Sequence, residues 1–173
     1  TCRHGFGYSV FEHDEDGIRS ELWVYVALDA AVKYSVLKVR NASGRSRRLS
    51  ATGYVEWVLG DLRPKTAMHV ITEIEARSGA LLARNAYNTE FPDRVAFFDV
   101  DDAARSVTGD RTEFLGRNGA LRRPAAMARS RLSGKVGRDV VVEDRHRVVG
   151  RDLAAGLGQR LRIAGGGEHL RRG

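Results

Sequence analysis

The sequence is short of the residues that build disulfides, metal sites and cofactor sites. Cys2 is its one cysteine, so an internal disulfide is excluded. It has no cluster of Cys and His at zinc-ligand spacing, no phosphate-binding Gly-Lys-Ser/Thr loop, no dinucleotide fingerprint and no nucleophile elbow. No apolar run approaches the roughly 20 residues that cross a bilayer, and no signal-peptide pattern opens the chain. We therefore predict no bound metal and no cofactor.

Helical periodicity is also missing before residue 120, whereas period-two alternation is frequent. Of the 173 residues, 42% are hydrophobic and 8% aromatic, which is an ordinary balance for one globular domain. Residues 3–28 read as two long strands joined by an acidic turn at 14–17, where Gly17 can take a positive φ. In the second of these strands, alternation predicts that Ile18, Leu22, Val24 and Val26 are buried.

The same alternation recurs along the chain. Residues 32–40 and 48–59 predict a second hairpin, residues 68–76 and 80–86 a third, and residues 94–100 a further strand. Residues 109–119 read as an ordered loop with three glycines, and residues 120–135 as one short helix or a final strand. Several strands joined by Gly, Asn and Asp turns predict an antiparallel β-sandwich.

The net charge of +7 and the pI of about 10.1 raise the question of an anionic partner. Residues 1–135 carry +4 of this charge and residues 136–173 carry +3, and the short basic clusters at 45–48 (RSRR) and at Arg122 and Arg123 lie in predicted turns. Solvated loop charge is the simpler interpretation of these clusters. A basic nucleic-acid-binding β domain stays open as the alternative function, and its affinity would fall steeply with salt.

Three groups of residues are candidates for chemistry. His4, Glu12 and His13 could suggest acid-base or metal chemistry, but His4 and Glu12 lie about 26 Å apart on one extended strand. The loop at 109–119 offers hydrogen-bonding groups for hydroxyls, with a structural crossover loop as the alternative. The third group consists of rings that suit either a core or a sugar platform: Tyr8, Trp23, Tyr25, Tyr54 and Trp57.

Four blocks in order carry a family resemblance: RHGFGYSVFEH (3–13), ELWVYVALDAAVKYSVLKVRNASGRSRRLSATGYVEWVLG (21–60), VITEIEARSGALLARNAYNTEF (70–91) and TGDRTEFLGRNG (108–119). Together they resemble the β-sandwich domain of the glycoside phosphorylases once classed as glycosyltransferase family 36 and now as glycoside hydrolase family 94. Within that family the likeness is greatest to the cyclic β-1,2-glucan synthases.

The resemblance implies an all-β antiparallel supersandwich of the galactose mutarotase type, here truncated. It implies a non-catalytic domain of a carbohydrate-active enzyme that supports an (α/α) barrel holding the general acid and that contacts a β-glucan or oligosaccharide. On the matching loop, the implied saccharide contacts are Arg111, Phe114, Arg117 and Asn118. Further implications are a homodimer of the parent protein, no nucleic-acid partner, and a cytoplasmic location, with the parent held in the bacterial inner membrane.

The resemblance stops near residue 137, and the following residues contain no aromatic side chain. We therefore predict two regions, a partial β-sandwich over 1–137 and an irregular tail over 138–173. The tail has the composition that a frameshift in GC-rich DNA would give. The chain also opens on Thr1 inside a predicted strand, as expected of a piece of a longer protein.

Overall fold

The computed structural model describes residues 1–137, 140–146 and 158–169, the last two segments as backbone. Over these residues the regular secondary structure is mostly strand, with two short α-helices and two single 3₁₀ turns. The strands are β1 (Cys2–Gly5), β2 (Tyr8–Glu15), β3 (Ile18–Val26), β4 (Val32–Asn41), β5 (Ala51–Val55), β6 (Ile71–Ile74), β7 (Leu81–Arg84), β8 (Arg94–Val100), β9 (Ser106–Asp110), β10 (Val140–His146) and β11 (Gly158–His169). The helices are α1 (Arg63–Thr66) and α2 (Arg111–Leu115), and the 3₁₀ turns are Ala67–His69 and Ala125–Ala128.

The described strands form two sheets. One has eight strands in the order β1-β2-β3-β4-β11-β8-β7-β6, and the other has three in the order β5-β10-β9. Every strand pair is antiparallel. The predicted all-β antiparallel sandwich is therefore confirmed.

The opening stretch differs from its prediction in one respect. Residues 3–13 were expected to form one strand, but the chain reverses at Phe6 and Gly7, where Gly7 has φ 79°, and β1 pairs with β2. The acidic turn is a two-residue hairpin loop, because Asp16 and Gly17 both have positive φ (53° and 77°). The chain therefore begins with a meander of β1, β2 and β3, which β4 continues.

The core lies over β7 and β8 and not over β3. Its main cluster contains Trp57, Val70, Leu81, Ala83 and Ala96. The predicted burial of the β3 residues is wrong, since Ile18, Leu22 and Val24 are only half-buried and Val26 is 59% exposed. The reason is that the second sheet has three strands against eight and leaves much of the β1–β3 surface uncovered.

The second predicted hairpin is also wrong. β4 pairs with β3 and β11, whereas β5 pairs with β10 in the other sheet, so the connection between β4 and β5 crosses from sheet to sheet. β5 is shorter than the alternating stretch at 48–59, because residues after Val55 leave the sheet and place Trp57 in the core. The alternation of apolar and polar residues therefore continues beyond the residues that pair as a strand.

The third predicted hairpin is confirmed, and a carboxylate closes its turn. β6 pairs with β7, and the Glu75 side chain accepts hydrogen bonds from the backbone N–H groups of Arg77 (2.9 Å) and Ser78 (2.7 Å) and from the Ser78 hydroxyl (2.7 Å). The Arg77 N–H bond, followed by those from Ser78, lowers the pKa of Glu75 from 4.5 to about 2.

This turn makes stability depend on pH. Because the pKa of Glu75 is lower in the folded state, its stabilising effect is complete above about pH 4.5 and is lost as the pH falls toward 2. We expect Glu75→Gln to flatten part of the acid dependence of urea unfolding. Identical acid profiles for the wild-type protein and the Glu75→Gln variant would contradict the assignment.

Between residues 120 and 135, where one short helix or a strand was predicted, the chain has the 3₁₀ turn Ala125–Ala128 and otherwise irregular backbone. Within the segment predicted to be an irregular tail, residues 140–146 and 158–169 have strand backbone, and residues 138–139, 147–157 and 170–173 lie outside the described residues. The division of the chain at residue 137 stays a prediction. In the described part of the chain, no helix is both long enough and apolar enough to span a membrane.

Candidate functional site

The loop singled out by sequence begins with a capped helix. Asp110 is the N-cap of α2, and its carboxylate accepts a hydrogen bond from the backbone N–H of Glu113 (3.0 Å). The helix ends at Leu115, and its C-cap residue Gly116 has a φ of 91°, which favours glycine. At Gly119 an added Cβ would lie 1.7 Å from the carbonyl oxygen of Leu115, so only glycine fits this close approach. Local sequence thus fixes the path of the loop.

Glu113 is the buried carboxylate of this loop, and its hydrogen bonds stabilise the fold. It accepts hydrogen bonds from the Thr108 hydroxyl (2.7 Å), the Ser133 backbone N–H (2.9 Å) and the Ser133 hydroxyl. Burial alone would raise the pKa of Glu113, but the bonds from Ser133 and Thr108 outweigh it and the pKa is lowered. Arg129 lies 3.7 Å away and acts in the same direction. An ionised carboxylate therefore ties α2 to residue 133.

Phe114 is not supported as a direct saccharide contact. Its side chain is 2% exposed and packs in a cluster with Leu115, Ala126 and Leu132. Its ring also stacks on Tyr54, with centroids 5.9 Å apart. The aromatic ring of this loop therefore belongs to the interior, as expected of the crossover-loop alternative.

The other three predicted contacts lie at the surface. Arg111, Arg117 and Asn118 are exposed, the first in α2 and the others just after it. They share one loop, but the structure places no aromatic face beside them in that loop, since Phe114 points inward. Whether they bind saccharide stays a prediction.

A second concave site was not identified from the sequence. This polar pocket, of about 540 Å³, lies between the segment carrying α1 and the loop after β7. It is lined by Gly60, Asp61, Lys65, Thr66, His69, Asn85, Tyr87, Asn88, Thr89, Glu90 and Phe91.

Two asparagines hold the wall of the polar pocket. The side-chain amides of Asn85 and Asn88 both donate to the carbonyl oxygen of Leu59, at 2.9 and 3.1 Å. The Asn85 carbonyl oxygen accepts from the backbone N–H of Tyr87 (3.0 Å), and that of Asn88 accepts from the N–H groups of Glu90 (2.9 Å) and Phe91 (3.0 Å). These side-chain turns fix the loop that carries the pocket's rings.

The polar pocket combines exposed rings with ionic groups. Tyr87 is 69% exposed and lies against His69, with ring centroids 4.5 Å apart. Phe91 is 42% exposed, and the Arg94 guanidinium lies 3.8 Å from its centroid. A backbone hydrogen bond from Leu62, together with Lys65, lowers the pKa of Asp61, which therefore remains an ionised acceptor at neutral pH.

Sequence reasoning missed this site because its two walls are separated by a hairpin. Residues 60–65 and 88–93 were read only as breaks in strand alternation. The available signal was the pair Asn85 and Asn88, each followed two residues later by a backbone N–H that its side chain binds. A connection that contains several Asn residues and aromatic residues thus indicates an ordered loop.

The two remaining candidate groups are dispersed. Because β1 and β2 form a hairpin, the 26 Å separation inferred for His4 and Glu12 is wrong; strand pairing instead places them on opposite faces of the sheet. Tyr8 stacks on Trp23 and Tyr25 on Tyr34, at 5.4 and 5.3 Å between centroids. Tyr54 and Trp57 pack in the interior, so the five rings do not form one platform.

Comparisons with known proteins identify the family. Residues 1–159 match the family model described as glycosyl hydrolase 94, supersandwich domain. In structure the chain is similar to a GalM/aldose epimerase homologue from C. elegans, with a TM-score of 0.55 over 98% of this chain and 68% of that chain, at 10% identity. At that identity the likeness concerns the fold alone.

Two similar curated proteins are much longer than this chain. Cyclic β-(1,2)-glucan synthase NdvB of Rhizobium meliloti (strain 1021) is 39% identical over 125 residues, which is 72% of this chain and 4% of the synthase. N,N'-diacetylchitobiose phosphorylase of Vibrio furnissii is 30% identical over 139 residues, which is 76% of this chain and 17% of the phosphorylase. The antiparallel sandwich, the family match and these relatives agree: the chain belongs to the supersandwich domain family of glycoside hydrolase 94 and is a domain of carbohydrate-active enzymes.

Proposed function

We propose that the chain is a non-catalytic sandwich domain that supports the catalytic barrel of a cyclic glucan synthase or β-glucoside phosphorylase and contacts saccharide. The family match and the names of the two relatives support this proposal. Its partners are then the (α/α) barrel of the parent and a β-linked glucan, in a cytoplasmic, homodimeric parent.

The observation that carries the saccharide contact is the polar pocket. Sugars are bound by aromatic faces that cover their C–H surfaces and by polar groups that satisfy their hydroxyls. Tyr87, Phe91 and His69 offer rings, and Asp61, Lys65 and Glu90 offer hydrogen-bonding groups around the same concavity. Arg111, Arg117 and Asn118 remain the second proposed contact.

The carboxylates support the non-catalytic part of the proposal. An inverting phosphorolysis needs a protonated acid beside the leaving oxygen. Four carboxylates on the strands or directly after one lie in ion pairs: Glu12 with Arg3, Glu21 with Lys38, Glu56 with Arg63, and Glu73 with Arg84. The hydrogen bond from Lys38 even lowers the pKa of Glu21. At Glu21 the ionised form is therefore favoured, and it cannot donate a proton.

Titration calorimetry of the 173-residue chain with β-1,2-linked oligosaccharides tests the proposal. We expect weak binding that is insensitive to salt and that weakens by about tenfold in Tyr87→Ala, the loss expected for one aromatic contact. Phe6→Ala is the matched control, because Phe6 is fully exposed and far from the pocket in sequence. An Arg117→Gln, Asn118→Ala variant tests the loop separately.

Two outcomes would contradict the proposal. One is tighter binding of duplex DNA than of glucan, with an affinity that falls steeply with salt, as the nucleic-acid alternative predicts. The other is phosphate-dependent release of glucose 1-phosphate from a β-glucan by the purified chain. If glucan binding were unchanged in both the Tyr87 and the loop variants, neither of the two proposed contacts would bind saccharide.

A further inference from the structure

The segment that follows β9 concentrates most of the chain's excess charge. Residues 111–131 contain six arginines and one acidic residue, Glu113, a local net charge of +5 in a chain whose total is +7. All six arginines are exposed: Arg111, Arg117, Arg122, Arg123, Arg129 and Arg131. We refer to residues 111–133 as the arginine lobe.

The arginine lobe is compact and closed at its base. Glu113 binds Ser133, which joins the two ends of the segment. Phe114, Leu115, Ala126 and Leu132 fill its interior, and short backbone hydrogen bonds such as Arg123 N–H to the Ala120 carbonyl (3.0 Å) turn its chain. The cations are therefore carried by an ordered body and not by an extended tail.

Most of this charge is not paired with a carboxylate of the described residues. Arg129 lies near Glu113, but the other five arginines of the lobe have no carboxylate within ion-pair distance among the described residues. The other basic cluster behaves differently, since Arg45 and Arg47 both pair with Asp16, at 3.2 and 3.0 Å. The two basic clusters therefore differ in how much of their charge is paired, which the total charge of the chain does not show.

The lobe also exposes apolar side chains between its arginines. Leu121 is 56% exposed and directly precedes Arg122 and Arg123. Met127, which is 50% exposed, follows in the 3₁₀ turn. Guanidinium groups bind phosphate through paired N–H donors, and an adjacent apolar side chain can enter the boundary between headgroups and acyl chains.

We propose that the arginine lobe is a docking surface for a membrane bearing anionic phospholipid headgroups. The arginines bind headgroup phosphates, and Leu121 inserts below them. Single-stranded nucleic acid is usually bound by exposed aromatic residues as well, and the one aromatic residue of the lobe, Phe114, is buried.

Vesicle co-sedimentation of the full 173-residue chain tests the proposal. The probes are phosphatidylcholine vesicles with and without about 30 mol% phosphatidylglycerol, at low and high ionic strength. We expect binding only to the anionic vesicles and a loss of binding at high salt. Each arginine replaced should lower the partition coefficient by up to about fivefold, so Arg122→Gln, Arg123→Gln, Arg131→Gln together should reduce it by about a hundredfold.

The matched control is Arg45→Gln, Arg47→Gln, Arg48→Gln, which removes the same charge from the other cluster and should leave most of the binding intact. Leu121→Ser should weaken binding without changing its salt dependence. Equal losses in the two triple variants would overturn the proposal, because they would show a response to net charge alone. Tighter binding to duplex DNA than to anionic vesicles under the same conditions would also overturn it. Circular dichroism confirms that each variant is folded.

Discussion

Replacing Phe114 with alanine should lower the free energy of unfolding by about 3–5 kcal/mol, the usual cost of removing a buried aromatic ring. Phe114 is 2% exposed, stacks on Tyr54 and fills the cluster with Leu115, Ala126 and Leu132. These neighbours are fixed by α2 and by the bond between Glu113 and Ser133, so they cannot close the cavity fully. Urea unfolding followed by circular dichroism measures the change.

Phe6→Ala provides the control, because Phe6 is fully exposed at the first hairpin turn and its loss should change stability by less than about 0.5 kcal/mol. If the two variants had equal stability, Phe114 would not be a core residue. A Phe114→Leu variant that retains most of the stability and all of the glucan binding would further separate packing from saccharide contact.

Sequence alternation predicted the strands well but not what covers them. The period of two in residues 18–26 identified β3, yet it could not show that the facing sheet has too few strands to bury Leu22, Val24 and Val26. Burial depends on partners that are distant in sequence. The same limit explains the stretch at 48–59, where alternation continues although only Ala51–Val55 pairs.

Turns were predictable where glycine follows an acidic residue and less so elsewhere. Asp16 and Gly17 matched a hairpin signal, whereas Phe6 and Gly7 were passed over because an aromatic residue seldom marks a turn. Because this turn was missed, β1 and β2 were predicted as one strand, and the separation predicted for His4 and Glu12 was wrong.

For the site residues, too, the sequence indicated local features but not contacts between segments that are distant in the chain. The loop at 109–119 was located by its glycines and charges, but a sequence cannot tell that Phe114 turns inward while Arg111 and Arg117 stay exposed. The polar pocket needs α1 and the loop after β7 to meet, which depends on the fold of the hairpin between them. Family resemblance supplied the fold and the enzyme class, whereas these side-chain positions required the structure.

Among the described residues, Glu113 should be the polar residue whose replacement lowers stability most. Glu113→Leu removes the acceptor of Thr108 and of both Ser133 donors, and it leaves Arg129 without a carboxylate. Each hydrogen bond to a charged group contributes about 1.5–3 kcal/mol, so the loss of these bonds should cost about 3–5 kcal/mol, whereas Glu113→Gln keeps one carbonyl acceptor and should cost about 1–2 kcal/mol. Thermal and urea unfolding of both variants at neutral pH measure the difference.

The pH dependence of stability provides a second test of the role of Glu113. Because the pKa of Glu113 is lowered in the folded protein, its stabilising effect is present above the usual carboxyl pKa and is lost as the pH falls through the folded value. The stability gap between the wild-type protein and Glu113→Gln should therefore be widest at neutral pH and narrow in acid. Glu15→Leu is the control, since the Glu15 side chain is 80% exposed and its replacement should leave neutral stability nearly unchanged. A gap that widens in acid would mean that Glu113 is protonated in the folded protein and donates to Thr108 or Ser133.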